Sequence, residues 1–172
     1  MALYTKVNEI LNIIKESLAR INHPRFYNAE RGFQGVFLSE LTHRLPCLQW
    51  EGAIIEQEYQ KKMKDHGIRI RPDIIIHVPF DKSLHNTRTE GNFVVFELKL
   101  NASESEALQD LEKLSKMCKV LGYPLGIFIN ISATTTHLSQ FQGIYKEKLH
   151  AFAVILNNEG QVKIQHEYEI KN

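Results

Sequence analysis

The sequence predicts an α/β protein in which helices cover both faces of a mixed central β-sheet. Three observations lead to this prediction: two helical stripes of apolar residues open the chain, short apolar runs follow them, and a helical segment joins two of these runs. A strand–helix–strand step implies a parallel pair, whereas tight turns join antiparallel pairs. The 172 residues, 43% of them hydrophobic, suffice for one domain with its own core, which we expect to span 1–172.

Two helices are predicted before the first strand. Between about residues 4 and 21, apolar side chains recur every three or four positions and form one stripe. The stripe consists of Val7, Ile10, Leu11, Ile14, Leu18 and Ile21. A second helix is predicted over about 29–45, because Pro46 disfavours helix at the residue before it. Two strands, over about 52–63 and about 68–79, follow and are joined by a short turn.

The second half of the chain alternates strands and helices. The predicted elements are a strand over about 93–100, a helix over about 103–121, a strand over about 125–131, a short helix or loop over about 135–149, and a closing hairpin over about 151–169. Ser103 followed by Glu106 has the spacing of a capping box at the start of the helix. Gly122 stands where helices often end.

Charged side chains interrupt two of the predicted buried strands. Arg71-Pro72-Asp73 opens one apolar run, and Glu97-Leu98-Lys99 closes the next one. Because side chains alternate along a strand, Glu97 and Lys99 share one face. A lone buried charge costs several kcal/mol, so charges at this place call for a reason. We expect Asp73, on the neighbouring strand, to meet them, which would bring together two carboxylates that can hold a divalent cation and an amine beside them.

A structural explanation remains open for each of these residues. Glu97 and Lys99 could form an ion pair at the rim of the sheet, and Asp73 could simply begin a strand. The spacing alone is not specific, because the chain holds a second copy, Glu169-Ile170-Lys171. That copy has no proline and aspartate on a strand before it and no helix after it. The context of Glu97 and Lys99, rather than their spacing, therefore carries the prediction.

Glu40 is a further candidate acid. On a helical wheel it projects among the apolar residues of the second helix, where a glutamate is usually paired or used. The alternative is an ion pair with Arg44, one turn further on. Glu30 lies near the same face and is the fallback acid if the helix is phased differently.

Net charge of +1 does not by itself indicate a partner, but one basic cluster precedes Asp73. This cluster, which we predict to contact nucleic-acid phosphates, consists of Lys61, Lys62, Lys64, Arg69 and Arg71. The alternative is a solvated hairpin end. The histidines are dispersed, with no zinc-binding spacing, and no glycine-rich phosphate loop occurs, so a zinc site and a nucleotide cofactor have no support.

Helix acid, strand hairpin, Arg-Pro-Asp, Glu-x-Lys and a following helix together resemble the PD-(D/E)xK nuclease superfamily, whose core is αβββαβ. The resemblance covers about residues 30–131, which we expect to form a restriction-endonuclease-like core with an added N-terminal helix and C-terminal hairpin. The matching motifs are Pro72-Asp73 and Glu97-Leu98-Lys99, with Glu40 in the place of the first-helix acid. Glu56 or Glu58 is a further match on the first strand.

The resemblance implies a metal-dependent active site. Asp73, Glu97 and the carbonyl of Leu98 would bind Mg²⁺ or Mn²⁺, and Glu40 would support that ion or a second one. Lys99 would position or deprotonate the attacking water. The implied activity is hydrolysis of phosphodiester bonds in nucleic acid, with DNA as the expected substrate, and the resemblance is compatible with a homodimer.

Two other classes of function remain open. The first is a nuclease-like module that has lost turnover and binds nucleic acid or a protein partner, although the intact set of acids and lysine disfavours it. The second is a scaffold whose strand-end charges are structural and bind no metal. We expect a cytoplasmic protein, because the N-terminus has no secretion signal, Cys47 and Cys118 do not make a disulfide framework, and no apolar stretch approaches the length of a membrane span.

Overall fold

The computed structural model describes residues 2–58, 70–83, 85–87 and 89–169. The helices are α1 (Ala2–Ala19), α2 (Glu30–Arg44) and α3 (Glu104–Val120). The strands are β1 (Ile54–Gln57), β2 (Ile74–His77), β3 (Asn92–Leu100), β4 (Leu125–Ile131), β5 (Leu149–Leu156) and β6 (Val162–Tyr168). Short 3₁₀ helices cover Pro24–Asn28, Leu45–Leu48, Leu138–Gln140 and Lys146–Lys148.

The six strands form one mixed sheet in the order β1-β2-β3-β4-β5-β6. The central strands β3, β4 and β5 are parallel, while β1, β2 and β3 pair antiparallel, as do β5 and β6. Helices α1 and α2 pack on one face and α3 packs on the other, so that each face has its own apolar core. The predicted three-layer α/β/α architecture with an αβββαβ core is therefore confirmed.

Both N-terminal helices follow the apolar pattern that predicted them. The stripe of α1 is buried against the sheet and α2, apart from a half-buried Val7 at its start. Helix α2 ends at Arg44, and Pro46 falls in the 3₁₀ turn that follows. Neither these helices nor α3, within the described part of the chain, combines the length and apolar character needed to cross a membrane.

The first two strands are shorter than predicted. Strand β1 stops at Gln57 because Glu58 adopts a positive φ of 50°, which breaks the extended backbone. Strand β2 starts only after Pro72, which lacks the N–H that a ladder position would need. All three isoleucines of β2 are buried, as expected for a strand covered on both faces. The predicted turn between these strands lies outside the described residues.

Helix α3 is fixed at its start and pressed close to the sheet. Its N-cap is the predicted capping box: the Ser103 side chain accepts from the Glu106 N–H, and the Glu106 carboxylate accepts from the Ser103 N–H at 3.0 Å. Gly126 on β4 allows the close approach, because a Cβ there would lie 2.8 Å from Leu149 and 3.3 Å from Cys118 of the helix. The helix is thus held in a defined position over β3 and β4.

We expect Ser103→Ala to lower the free energy of unfolding by about 0.5–2 kcal/mol, because it removes the side-chain acceptor of the cap. Ser105, exposed in the first turn of α3, is the matched control, and Ser105→Ala should cause no comparable loss. Urea unfolding of the three proteins measures the difference. Equal midpoints for both variants would show that the capping box does not stabilise the fold.

Candidate active site

The register between β2 and β3 sets the geometry of the site. Ile74 pairs with Phe96, and the N–H of Asp73 donates to the carbonyl of Phe96 at 3.2 Å. Extending this antiparallel register by one residue places Asp73 directly opposite Glu97 on the same face of the sheet. Side chains that oppose each other across antiparallel strands have Cβ atoms about 4.5–5.5 Å apart. The structure therefore brings together the two acids that the sequence placed on separate strands.

Asp73 is half-buried and held by backbone groups. Its Oδ2 accepts from the N–H of Leu98 at 2.7 Å, and its main-chain carbonyl accepts from the side chain of Gln34 at 3.2 Å and from the N–H of Glu58 at 2.8 Å. Burial raises the pKa of Asp73, and the Leu98 N–H and the ammonium of Lys113 oppose the rise. Because N–H and C=O of a strand residue point to the same side, the Leu98 carbonyl also faces the strand that carries Asp73.

Glu97 is the most unusual ionisable group of the site. Only 3% of the residue is exposed, and its Oε2 accepts from the ammonium of Lys113 at 2.6 Å. Its other oxygen, Oε1, is buried and has no hydrogen-bond partner among the described residues. Burial raises the pKa of Glu97 well above its ordinary value, the negative charge of Asp73 adds to the rise, and Lys113 opposes it. Lys113 therefore compensates the negative charge of the buried carboxylate only in part.

Lys99 lies on the same face of β3 as Glu97, two residues further along, and is half-buried. It makes no hydrogen bond or ion pair with any residue in the described ranges. Asp110 of α3 completes this side of the site. Burial raises the pKa of Asp110, the ammonium groups of Lys113 and Lys99 oppose the rise, and Asp73 and Glu30 add to it.

The prediction that Glu40 belongs to the site is corrected by the structure. Its carboxylate pairs with Arg44 at 2.5 Å, the alternative that the helical spacing allowed, and Arg44 also approaches Glu16 at 3.8 Å. The helix acid near the site is instead Glu30, whose Oε2 accepts from the N–H of Leu100 at 3.2 Å. Ten residues of α-helix separate the two glutamates by about 15 Å, so they cannot both reach the cluster.

The first-strand acids take different places. Glu56 bonds to His77 at 2.6 Å on the neighbouring strand. Glu58 lies close enough to Asp73 for its charge to contribute to the raised pKa of that residue, and it pairs with Arg71 at 3.6 Å. The guanidinium of Arg71 is exposed, whereas the other predicted phosphate contacts lie outside the described residues. Those residues are Lys61, Lys62, Lys64 and Arg69.

Two residues of α3 that belong to the site were not identified from the sequence. Asp110 had a readable signal, because at about 100° per residue it falls inside the buried arc of the helix, between Met117 and Leu114. Lys113 projects from the edge of that arc and looks like an ordinary surface lysine. Only the packing of α3 on β3 shows that its ammonium reaches Glu97.

The side chains fit a hard divalent cation. Asp73 and Glu97 offer carboxylate oxygens, and the Oε1 of Glu97, which has no hydrogen-bond partner among residues 2–58, 70–83, 85–87 and 89–169, is a buried acceptor that a cation would stabilise. Within the described ranges, no three His, Cys, Asp or Glu side chains are arranged to hold an ion by themselves. Mg²⁺ does not need such a cage, since it is commonly held by one or two carboxylates while water or substrate fills the other positions.

No protein-family model matches the chain, and no curated protein is similar to it. Among solved structures, NucC of P. aeruginosa ATCC27853 in its cAAA-bound form is 14% identical, with a TM-score of 0.48, over 96% of this chain and 82% of NucC. SfsA of Pyrococcus furiosus in complex with Ca²⁺ is 12% identical, with a TM-score of 0.36, over 81% of this chain and 64% of SfsA. At these TM-scores neither structure assigns an activity.

The fold is identified by the chain's own architecture. The order α2-β1-β2-β3-α3-β4 is the αβββαβ core that the resemblance implied, with α1 before it and the β5–β6 hairpin after it. Asp73 stands at the start of β2, opposite Glu97, with Lys99 on the same face. The chain therefore has the α/β architecture, with a six-stranded mixed sheet between helices, that is consistent with a restriction-endonuclease-like fold.

Proposed function

We propose that the chain is a Mg²⁺- or Mn²⁺-dependent endonuclease that hydrolyses phosphodiester bonds in DNA. One observation carries the proposal: Glu97, whose buried Oε1 has no hydrogen-bond partner among the described residues, stands across from Asp73 at the start of β2, and Lys99 on the same face has no partner there either. Burial of these acids without a cation is unfavourable, and a divalent ion would remove the deficit of positive charge.

Each side chain has a distinct part in this proposal. Asp73, the Oε1 of Glu97 and the carbonyl of Leu98 would hold the ion. When bound, the ion supplies Lewis acidity towards the phosphate and makes water more acidic. Lys99, which has no described partner, would orient the attacking water and accept or share its proton. The exposed Arg71, together with the basic cluster before it, would contact the phosphates of the strand.

Lys99→Ala should lower the rate of DNA cleavage in Mg²⁺ or Mn²⁺ by about 10²-fold or more, in the range expected when a positioned acid–base group is lost. Nicking of supercoiled plasmid measures the rate, and circular dichroism checks that the variant is folded.

The second Glu-x-Lys copy provides the matched control for this variant. Lys171→Ala alters a lysine with the same spacing to a glutamate, here the exposed Glu169, and it should leave cleavage unchanged. Cleavage at full rate by the Lys99→Ala protein would exclude the proposed role of that lysine. Absence of cleavage in the unmodified protein, with DNA binding retained, would favour the inactive nuclease-like module.

Asp73→Ala should weaken the binding of Mg²⁺ or Mn²⁺ by at least about tenfold, because loss of a group that only orients a metal ligand already costs about 10- to 100-fold. Calorimetric titration of the protein with the metal alone, without DNA, measures the affinity. Glu169→Ala, at the exposed copy of the motif, is the control and should not change it. An unchanged affinity in the Asp73 variant would show that this carboxylate is not a ligand.

The raised pKa of Glu97 also predicts how stability depends on pH in the presence of EDTA. A carboxyl group whose folded pKa lies above its unfolded value stabilises the fold fully below the unfolded value, 4.5 for Glu97, and this stabilisation is lost as the pH rises through the folded pKa. The loss arises because the unfolded chain releases the proton freely, whereas the buried carboxyl group ionises only at a cost. The metal-free protein should therefore lose stability towards pH 8 relative to Glu97→Gln, and Mg²⁺ should restore it.

Urea midpoints of the two proteins between pH 5 and 8 test this expectation. Burial lowers the pKa of His150 and of His166 to about 4. These histidines therefore lower the stability of the fold as the pH falls below 6.5, whereas the stabilisation from Glu97 increases as the pH falls. Because both proteins contain the histidines, the difference between them isolates Glu97. Parallel pH profiles for the two proteins would show that Glu97 is not a strained carboxylate in the metal-free fold.

A further inference from the structure

The two lysines that face the acidic cluster are used differently. The ammonium of Lys113 lies 2.6 Å from the Oε2 of Glu97, and its side chain is 30% exposed. Lys99, on β3, contacts no acceptor among the described residues. The proposed catalytic role explains the presence of Lys99. It does not explain why a second lysine, Lys113 on α3, contacts Glu97, the least exposed acid of the site.

The contact with Lys113 makes the two oxygens of Glu97 unequal. Oε2 is engaged by a short, charge-assisted hydrogen bond, whereas Oε1 is buried without a partner in the part of the chain that the structure describes. A glutamate side chain has several rotatable bonds, and holding it at one oxygen removes much of its freedom. The free oxygen is therefore presented in one orientation, and the ammonium on Oε2 favours binding of an ion through Oε1 alone.

The position of Lys113 is itself well defined. Its neighbours Leu111 and Leu114 are completely buried, so the backbone of α3 cannot slide at this point. The capping box at Ser103 fixes the start of the same helix. Asp110, one turn before Lys113, is a half-buried acid whose negative charge favours an ammonium group on this side of the helix.

We infer that Lys113 is a positioning residue for the metal site: it holds Glu97 through Oε2 and thereby presents Oε1 as a single-oxygen ligand beside Asp73. The inference rests on the proposed metal-dependent function and deepens it. Lys113 acts through Glu97 and does not touch the reacting atoms, which separates its role from that of Lys99. The alternative role for Lys113 is a placeholder that a metal ion must displace.

Metal affinity distinguishes these roles without any measurement of cleavage. If Lys113 positions Glu97, Lys113→Met should weaken the binding of Mn²⁺ or Mg²⁺ by about 10- to 100-fold, the usual cost of removing a group that orients a ligand. If it is a placeholder, the same variant should bind the ion more tightly. Calorimetric titration of the full chain with the metal alone provides the dissociation constants.

Three further variants sharpen the experiment. Lys113→Arg keeps a charged donor and should restore the affinity to within a few-fold of the unmodified protein, which a purely structural effect would not require. Lys116→Met, on the exposed side of α3, is the matched control and should leave the affinity unchanged. In a Glu97→Gln background, Lys113→Met should cause little further loss, because the two residues act as one unit. Should Lys113→Met fail to fold, Lys113→Gln replaces it.

The outcomes separate this inference from the function on which it rests. An affinity that is unchanged or tighter in Lys113→Met, while the unmodified protein binds metal and cleaves DNA, overturns the positioning role and leaves the nuclease intact. Failure of the unmodified protein to bind Mg²⁺ or Mn²⁺ overturns both. Weaker binding in Lys113→Met, with recovery in Lys113→Arg and no change in Lys116→Met, supports the inference.

Discussion

The antiparallel register between β2 and β3 places Asp73 opposite Glu97, and the other features of the site follow from this pairing. Two carboxylates side by side raise each other's free energy of ionisation, and burial adds to the cost. The protein offsets part of this cost with the N–H of Leu98 on one acid and the ammonium of Lys113 on the other. One oxygen of Glu97 remains without a partner among the described residues, and this residual deficit favours a cation at the site.

The layers of the fold explain why such an arrangement can persist. Strands β2 and β3 are covered by α1 and α2 on one face and by α3 on the other, and the side chains between the helices and the sheet are apolar. These contacts fix the register, because a shift of one residue would exchange the two faces of β2 and turn the carboxylate of Asp73 towards the apolar core under α1 and α2. The stability of the core therefore holds the acids together against their repulsion. A site on a mobile loop would relax by moving them apart.

The sequence predicted what depends on strand periodicity and missed what depends on packing between elements. Alternation along β3 placed Glu97 and Lys99 on one face, and Arg71-Pro72-Asp73 marked the opening of the apolar run of β2, although the strand was predicted to begin earlier, at about residue 68. The wheel of α2 was less informative, because it placed Glu40 among the apolar residues, where a pair with Arg44 satisfies it equally well. The contact of Lys113 with Glu97 could not be predicted, because the periodicity of a helix shows which face is buried but not where along the strands the helix packs.

The two Glu-x-Lys copies show that burial, and not spacing, gives the motif its chemical character. Glu97 is enclosed by the sheet and α3, whereas Glu169 follows the edge strand β6 and is exposed to water. Water solvates an exposed carboxylate well, so a cation gains little by replacing that water. Cation binding is much more favourable at a carboxylate that is already buried, because its desolvation has occurred during folding and does not have to accompany binding of the ion. The same spacing can therefore place its glutamate in a buried position suited to a cation, as at Glu97, or in contact with water, as at Glu169.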